Sequence, residues 1–88
     1  MLKISIISDS DQAIQFQLEG KLVGPWVEEL QRLSDEALSH QKALSLDLEN
    51  VSFVDSRGVT LLRDLARRQV SQVNCSQFVS QQLKEAAR

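Results

Sequence analysis

Residues 44–65 read LSLDLENVSFVDSRGVTLLRDL, and two periodicities meet inside this stretch. Leu44, Leu46 and Leu48 alternate with Ser45, Asp47 and Glu49, the period-2 pattern of a strand with one packed face and one polar face. Val51, Phe53 and Val54 carry the apolar character on to Asp55-Ser56. There the spacing changes. Leu61, Leu62 and Leu65, with Ala66, form the inward stripe of a helix, while Arg63, Asp64, Arg67 and Arg68 point outward. A strand running straight into a helix is the unit from which parallel sheets are assembled.

The flanking sequence completes the pattern. Leu2, Ile4 and Ile6 alternate with polar residues as a first strand, Ser8-Asp9-Ser10-Asp11 is turn chemistry, and Ile14, Phe16 and Leu18 form a second strand closely linked to the first. Gly24-Pro25 opens a helix over about residues 25–40, because proline at the first helical position gives up an N–H that would lack a partner anyway. Its predicted inward stripe is Trp26, Leu30, Leu33 and Ala37 with Val27, Ser34 and Leu38 beside it, and Glu28 is placed to pair with Arg32. After the second helix, Val73 and Cys75 among Gln72, Asn74 and Ser76 suggest a short fourth strand. Phe78, Val79, Leu83 and Ala86 suggest a closing helix. The order β-β-α-β-α-(β)-α predicts one α/β domain over residues 1–88. Its small mixed sheet has an antiparallel first hairpin followed by parallel strands joined through right-handed crossovers, with helices mainly on one face.

Composition narrows the function. Twelve acidic groups against ten basic ones give a net charge of −2 in 88 residues, which argues against a general nucleic-acid binder. A single cysteine, Cys75, excludes an internal disulfide and a multi-cysteine zinc site and fits a reducing compartment. A single histidine, His40, excludes a histidine cluster. No apolar run nears the ~20 residues of a membrane span and no basic-then-apolar leader opens the chain, so a soluble cytoplasmic domain without membrane insertion is expected. Charge is unevenly spread: residues 1–56 hold ten acidic and four basic groups, residues 57–88 six basic and two acidic. Such asymmetry marks either a partner-facing surface or a solvated, arginine-rich helix face.

Candidate catalytic groups are few. Gly20, Gly24 and Gly58 stand too far apart for a nucleotide-binding loop. His40 fits a helix C-terminus, Cys75 fits a small core residue, and Glu28/Glu29 and Asp35/Glu36 lie on a solvated helix face. No enzyme activity, cofactor or metal is expected. The segment 51–62 offers a different chemistry, since Ser56 lies between a buried strand and a basic helix. An anion on its hydroxyl would meet the unpaired N–H groups of a helix start and the neighbouring Arg57. The same Asp55-Ser56 pair also suits simple capping of that helix.

Phe53-Val54-Asp55-Ser56-Arg57-Gly58-Val59 resembles the apolar-Asp-Ser-Ser-Gly-Leu run of STAS domains, the fold of bacterial anti-sigma factor antagonists, with Arg57 in place of the second serine. Leu18-Glu19-Gly20-Lys21-Leu22 resembles the family's Leu-x-Gly-x-Leu/Ile motif, and Val23 stands where the family commonly has an aspartate. The order of elements agrees over about residues 12–80. The resemblance implies a non-enzymatic regulatory module bound by an anti-sigma factor that is also a Ser/Thr kinase. By position Ser56 would be the phosphoacceptor, Asp55, Arg57 and Gly58 would shape its turn, and Val59, Thr60, Arg63 and Arg67 would face the partner. Some members of the family serve instead as accessory subunits on a transporter ATPase.

Overall fold

The structure, a computed structural model, describes residues 2–86. Strand β1 (Leu2–Asp9) and strand β2 (Ala13–Leu22) form the expected antiparallel hairpin, with Leu2 opposite Gly20 and Asp9 opposite Ile14. Ser10 closes the turn, its backbone N–H donating to the Ala13 carbonyl at 2.8 Å while its hydroxyl accepts from the Ala13 N–H at 3.1 Å. Helix α1 (Pro25–Ser39) crosses to strand β3 (Ala43–Val54), helix α2 (Ser56–Arg67) crosses to strand β4 (Ser71–Val73), and helix α3 (Gln77–Ala86) follows. The sheet order is β1-β2-β3-β4, with both pairings after the hairpin parallel.

Ile14, Phe16 and Leu18 of β2 and Leu44, Leu46 and Leu48 of β3 share one face and meet Val27 and Leu30 of α1, Leu62 and Leu65 of α2 and Val79 of α3 in a single buried cluster. Asp47 is buried on the opposite parity, 7% exposed, and its Oδ1 accepts the Glu49 N–H at 3.0 Å. That bond sits at the first of two register shifts between β2 and β3. Gln17 faces Asp47 but Glu19 faces Asn50; Gly20 faces Val51 but Lys21 faces Phe53. Each shift inserts one residue into β3 and reverses its parity. Val51 and Val54 therefore turn into the core, and Phe53, expected within the apolar run, turns out and is 39% exposed.

Other differences from the sequence pattern have similar local causes. The buried stripe of α1 is Val27, Leu30, Ser34 and Ala37, with Trp26, Leu33 and Leu38 packed at its margins. Arg32 pairs with Glu29 at 2.6 Å rather than with Glu28, whose partner lies on α2. Edge strand β1 rises out of the core along its length, and a register shift follows Ile6, which is 61% exposed. The fourth strand ends at Val73, so Cys75 lies in the β4–α3 connection, where partial burial pushes its thiol pKa up. Phe78, expected on the inward stripe of the last helix, is 57% exposed and meets the Phe53 ring at 6.4 Å. The inward placement expected of Ala86 lies outside the described side chains.

Both crossover helices end, and return the chain to the sheet, by the same device. After α1, Gln41 adopts φ 61° and donates to the Leu38 carbonyl at 3.0 Å, and Lys42 reaches back to Ala37 at 3.3 Å. After α2, Gln69 adopts φ 67°, donates to Ala66 at 3.1 Å, and Val70 reaches back to Leu65 at 3.0 Å. These are paired C-terminal closures in which the left-handed residue is usually glycine. A glutamine there carries a steric cost of about 1 kcal/mol. Gln69→Gly is therefore expected to raise the unfolding free energy by about that amount, measured by urea denaturation; an unchanged midpoint would show that the left-handed turn carries no strain.

Candidate functional site at the start of the second helix

The two segments singled out in the sequence, residues 18–22 and 53–59, run side by side at the ends of β2 and β3. Lys21 faces Phe53 and Leu22 faces Val54 across the parallel ladder, and the Asp55 N–H donates to the Leu22 carbonyl at 3.1 Å. One residue later the chain leaves the sheet as α2.

Asp55 is the N-cap of that helix, in extended backbone with φ −80° and ψ 179°. Its Oδ1 accepts the Gly58 N–H at 2.8 Å, the capping bond that short polar side chains supply to an open first turn. Its Oδ2 accepts the Gly24 N–H at 3.0 Å. Gly24, at φ 54°, is the N-cap of α1 and offers no side chain of its own. One carboxylate thus holds the starts of both crossover helices. These bonds favour the ionised form, the Gly24 amide most strongly and the Gly58 amide and the Arg57 charge in support, so the Asp55 pKa lies below the ordinary carboxylate range despite some desolvation.

Gly58 is required by space, not by backbone freedom. A Cβ at this position would stand 2.6 Å from Val54 Cγ1 and 2.8 Å from the Leu22 carbonyl oxygen, so the first turn of α2 lies directly against the end of the sheet. Ser56, in contrast, is exposed at the first helical position, and its carbonyl accepts the Thr60 hydroxyl at 3.0 Å. The serine stands on a ridge between two open grooves. One, of about 440 Å³, runs between α1 and α2 past Arg57, Thr60, Arg63 and Arg67. The other, of about 470 Å³, runs past Phe53, Val59 and Arg63 to Gln82 of α3, whose Nε2 donates to the Val54 carbonyl at 2.9 Å.

Most of the residues expected to form a site do converge here. Asp55, Ser56, Arg57, Gly58, Thr60 and Arg63 occupy the first two turns of α2, and Arg67 lies farther along the same α1–α2 groove. Val59 is the correction. It is 6% exposed because the fourth helical position turns toward the sheet, so it belongs to the core and shows a partner no more than a groove wall. Two contributors had no local signature. Gly24 supplies the second amide to Asp55 from 31 residues away, and Glu28 on α1 receives Arg57 at 3.0 Å. Val23, next to Gly24 at the end of β2, is half-buried, and its carbonyl accepts the Trp26 N–H at 3.2 Å. Among the described residues no group of three or more metal-ligating side chains occurs, and no helix is long and apolar enough to cross a membrane.

Two stability predictions follow from this geometry. Gly58→Ala is expected to cost about 1–3 kcal/mol by overpacking against Val54 and the Leu22 backbone, read from the shift in urea midpoint; a neutral result would show that the helix start can move away from the sheet. The pH dependence has a definite sign. A carboxyl whose pKa is depressed in the folded state adds stability above its unfolded value of about 3.9, and that contribution is lost as pH falls through the lower folded value. The wild-type protein is expected to lose stability across this acid window and Asp55→Asn to lose less; parallel curves would rule the carboxylate out as the source.

Comparison with known proteins places these features. A family model for the STAS domain matches residues 6–82. Among solved structures, the anti-sigma factor antagonist SpoIIAA in its unphosphorylated form superposes with a TM-score of 0.61 at 22% identity, covering 74% of this chain and 61% of that one. An uncharacterised DUF3478-family protein from Shewanella loihica with a SpoIIAA-like fold superposes with a TM-score of 0.59 at 17% identity, covering 88% and 69%. The chain thus spans somewhat under two thirds of the SpoIIAA structure. No curated protein matches in sequence. With the two motif segments joined at the head of α2, and with the family match running from β1 into α3, this chain belongs to the STAS domain family.

Proposed function

We propose that the protein is a non-enzymatic regulatory module of the cytoplasm that binds a protein partner through the exposed side of α2 and is released from it by phosphorylation of Ser56. The observation that carries this reading is the contrast at the head of α2: Asp55 and Gly58 are fixed to the sheet and to α1, while the hydroxyl between them stands in solvent. A kinase can reach that hydroxyl without unfolding the domain. The partner we infer is an anti-sigma factor with Ser/Thr kinase activity. In the transfer, Ser56 Oγ forms a bond to the γ-phosphorus of ATP held by the partner, the bridging bond to the β-phosphate breaks, ADP leaves, and the hydroxyl proton passes to a base of the kinase.

Phosphorylation would act as a charge gate. It adds roughly −1.5 to −2 at neutral pH on the ridge between both grooves, where a partner that engages Arg63 and Arg67 would be close packed. Ser56→Asp is expected to weaken partner binding on the order of tenfold or more, since like charges brought together at an interface cost several kcal/mol. Ser56→Ala should bind as wild type yet resist ATP-dependent release. Arg63→Glu combined with Arg67→Glu should slow association. Calorimetry and surface-binding kinetics with an anti-sigma factor kinase as partner give these values. Undiminished affinity of Ser56→Asp would contradict the switch and indicate permanent docking, as for an accessory subunit of a transporter ATPase.

A further inference from the structure

Arg57 is the departure from the family's serine pair, and the structure shows what it does. Its Nη2 donates to Glu28 Oε1 at 3.0 Å, an exposed ion pair that ties the first turn of α2 to the first turn of α1. A second pair, Arg68 to Asp35 at 2.7 Å, joins the same two helices farther along. The groove past Arg63 and Arg67 lies along the helices these two clasps connect.

Ser56 immediately precedes Arg57 and lines the same groove. Of the first amides of the helix, two are already committed, and the Arg57 N–H also supports the Asp55 carboxylate. The Gly58 N–H is already given to Asp55 Oδ1 and the Val59 N–H to the Asp55 carbonyl at 2.9 Å. The adjacent guanidinium is then the strongest donor at hand, with a fork that matches phosphate oxygens. A phosphoserine carries roughly −1.5 to −2 against the single charge of Glu28, and an ion pair exposed on both sides holds its partners weakly.

We propose that phosphorylation of Ser56 draws Arg57 away from Glu28, opening the clasp nearest the serine. This rests on the reading of Ser56 as phosphoacceptor and adds a second consequence to it. In the unmodified protein Arg57 and Glu28 cancel beside a neutral serine. After the exchange, phosphate and carboxylate together exceed the arginine by roughly one and a half to two charges. A partner whose acidic segment fits Arg63 and Arg67 is then repelled both by the phosphate and by a carboxylate that had been masked. The Arg68–Asp35 clasp is untouched, so α1 and α2 stay joined while the serine end goes from neutral to negative.

The test uses full-length protein with phosphoserine inserted at position 56 during synthesis, so no kinase is needed. The Arg57 side-chain Nε–H resonance is followed by NMR, together with the 31P titration of the phosphate. Glu28→Gln is expected to move the Arg57 resonance in the unmodified protein and to leave it unmoved in the phosphoserine form. Arg57→Gln should raise the acid dissociation constant's pKa for the second phosphate proton, a change of roughly two- to fivefold in the constant, the scale of exposed ion pairs. If Glu28→Gln moves the Arg57 resonance equally in both forms, or if Arg57→Gln leaves the phosphate titration unchanged, the exchange does not occur. Thermal melts of these surface variants check that they are folded. Either negative result leaves the phosphoacceptor assignment standing, because that is decided separately by ATP-dependent release.

Discussion

The Asp55 carboxylate is the constraint on which the rest of the site depends. It terminates β3, caps α2 through Gly58 and holds the Gly24 amide that opens α1. Both helix starts lack other side-chain caps for these amides: α1 begins at a glycine followed by proline, and α2 begins at an exposed serine. Two orphan N–H groups from distant parts of the chain are thus satisfied by one ionised group, and charge-assisted bonds of this kind are the stronger class. Because one group serves both, the separation between the two helix starts is fixed, and so is the groove between α1 and α2.

Fixing the neighbours leaves Ser56 exposed without leaving it loose. Gly58 admits the helix against Val54 and Leu22 so closely that a methyl group has no room, and Val59 locks the following turn into the core. The outward positions Ser56, Arg57, Thr60 and Arg63 are then presented on a surface whose backbone has little freedom. A charge added at Ser56 would stay on the ridge between the grooves. The arginine next to the serine joins this point to α1 through Glu28.

Local signals made much of this legible in sequence. Alternation in residues 44–48 and the Asp-Ser pair before an apolar 3.6-period define the strand and the cap within a span of some twenty residues, whereas the close approach of Gly58 to Val54 and Leu22 is tertiary. The position of Phe53 was not legible because the two shifts that reverse parity in β3 are defined against β2. The inward turn of Val59 follows from the helical period, since it stands three residues before Leu62 on the buried face. The bond from Gly24 and the pairing of Arg57 with Glu28 are purely tertiary, and for Glu28 the helical rule pointed to Arg32 instead. The helix ends at Gln41 and Gln69 carried no glycine to announce them.

One carboxylate binds the amides of Gly24 and Gly58 together. NMR resonances of these two amide protons followed through an acid titration test it directly. Both should shift with a common midpoint below the ordinary carboxylate range, and both shifts should vanish in Asp55→Asn. Two different midpoints, or a Gly24 proton indifferent to the ionisation of Asp55, would mean that the two helix starts are held independently.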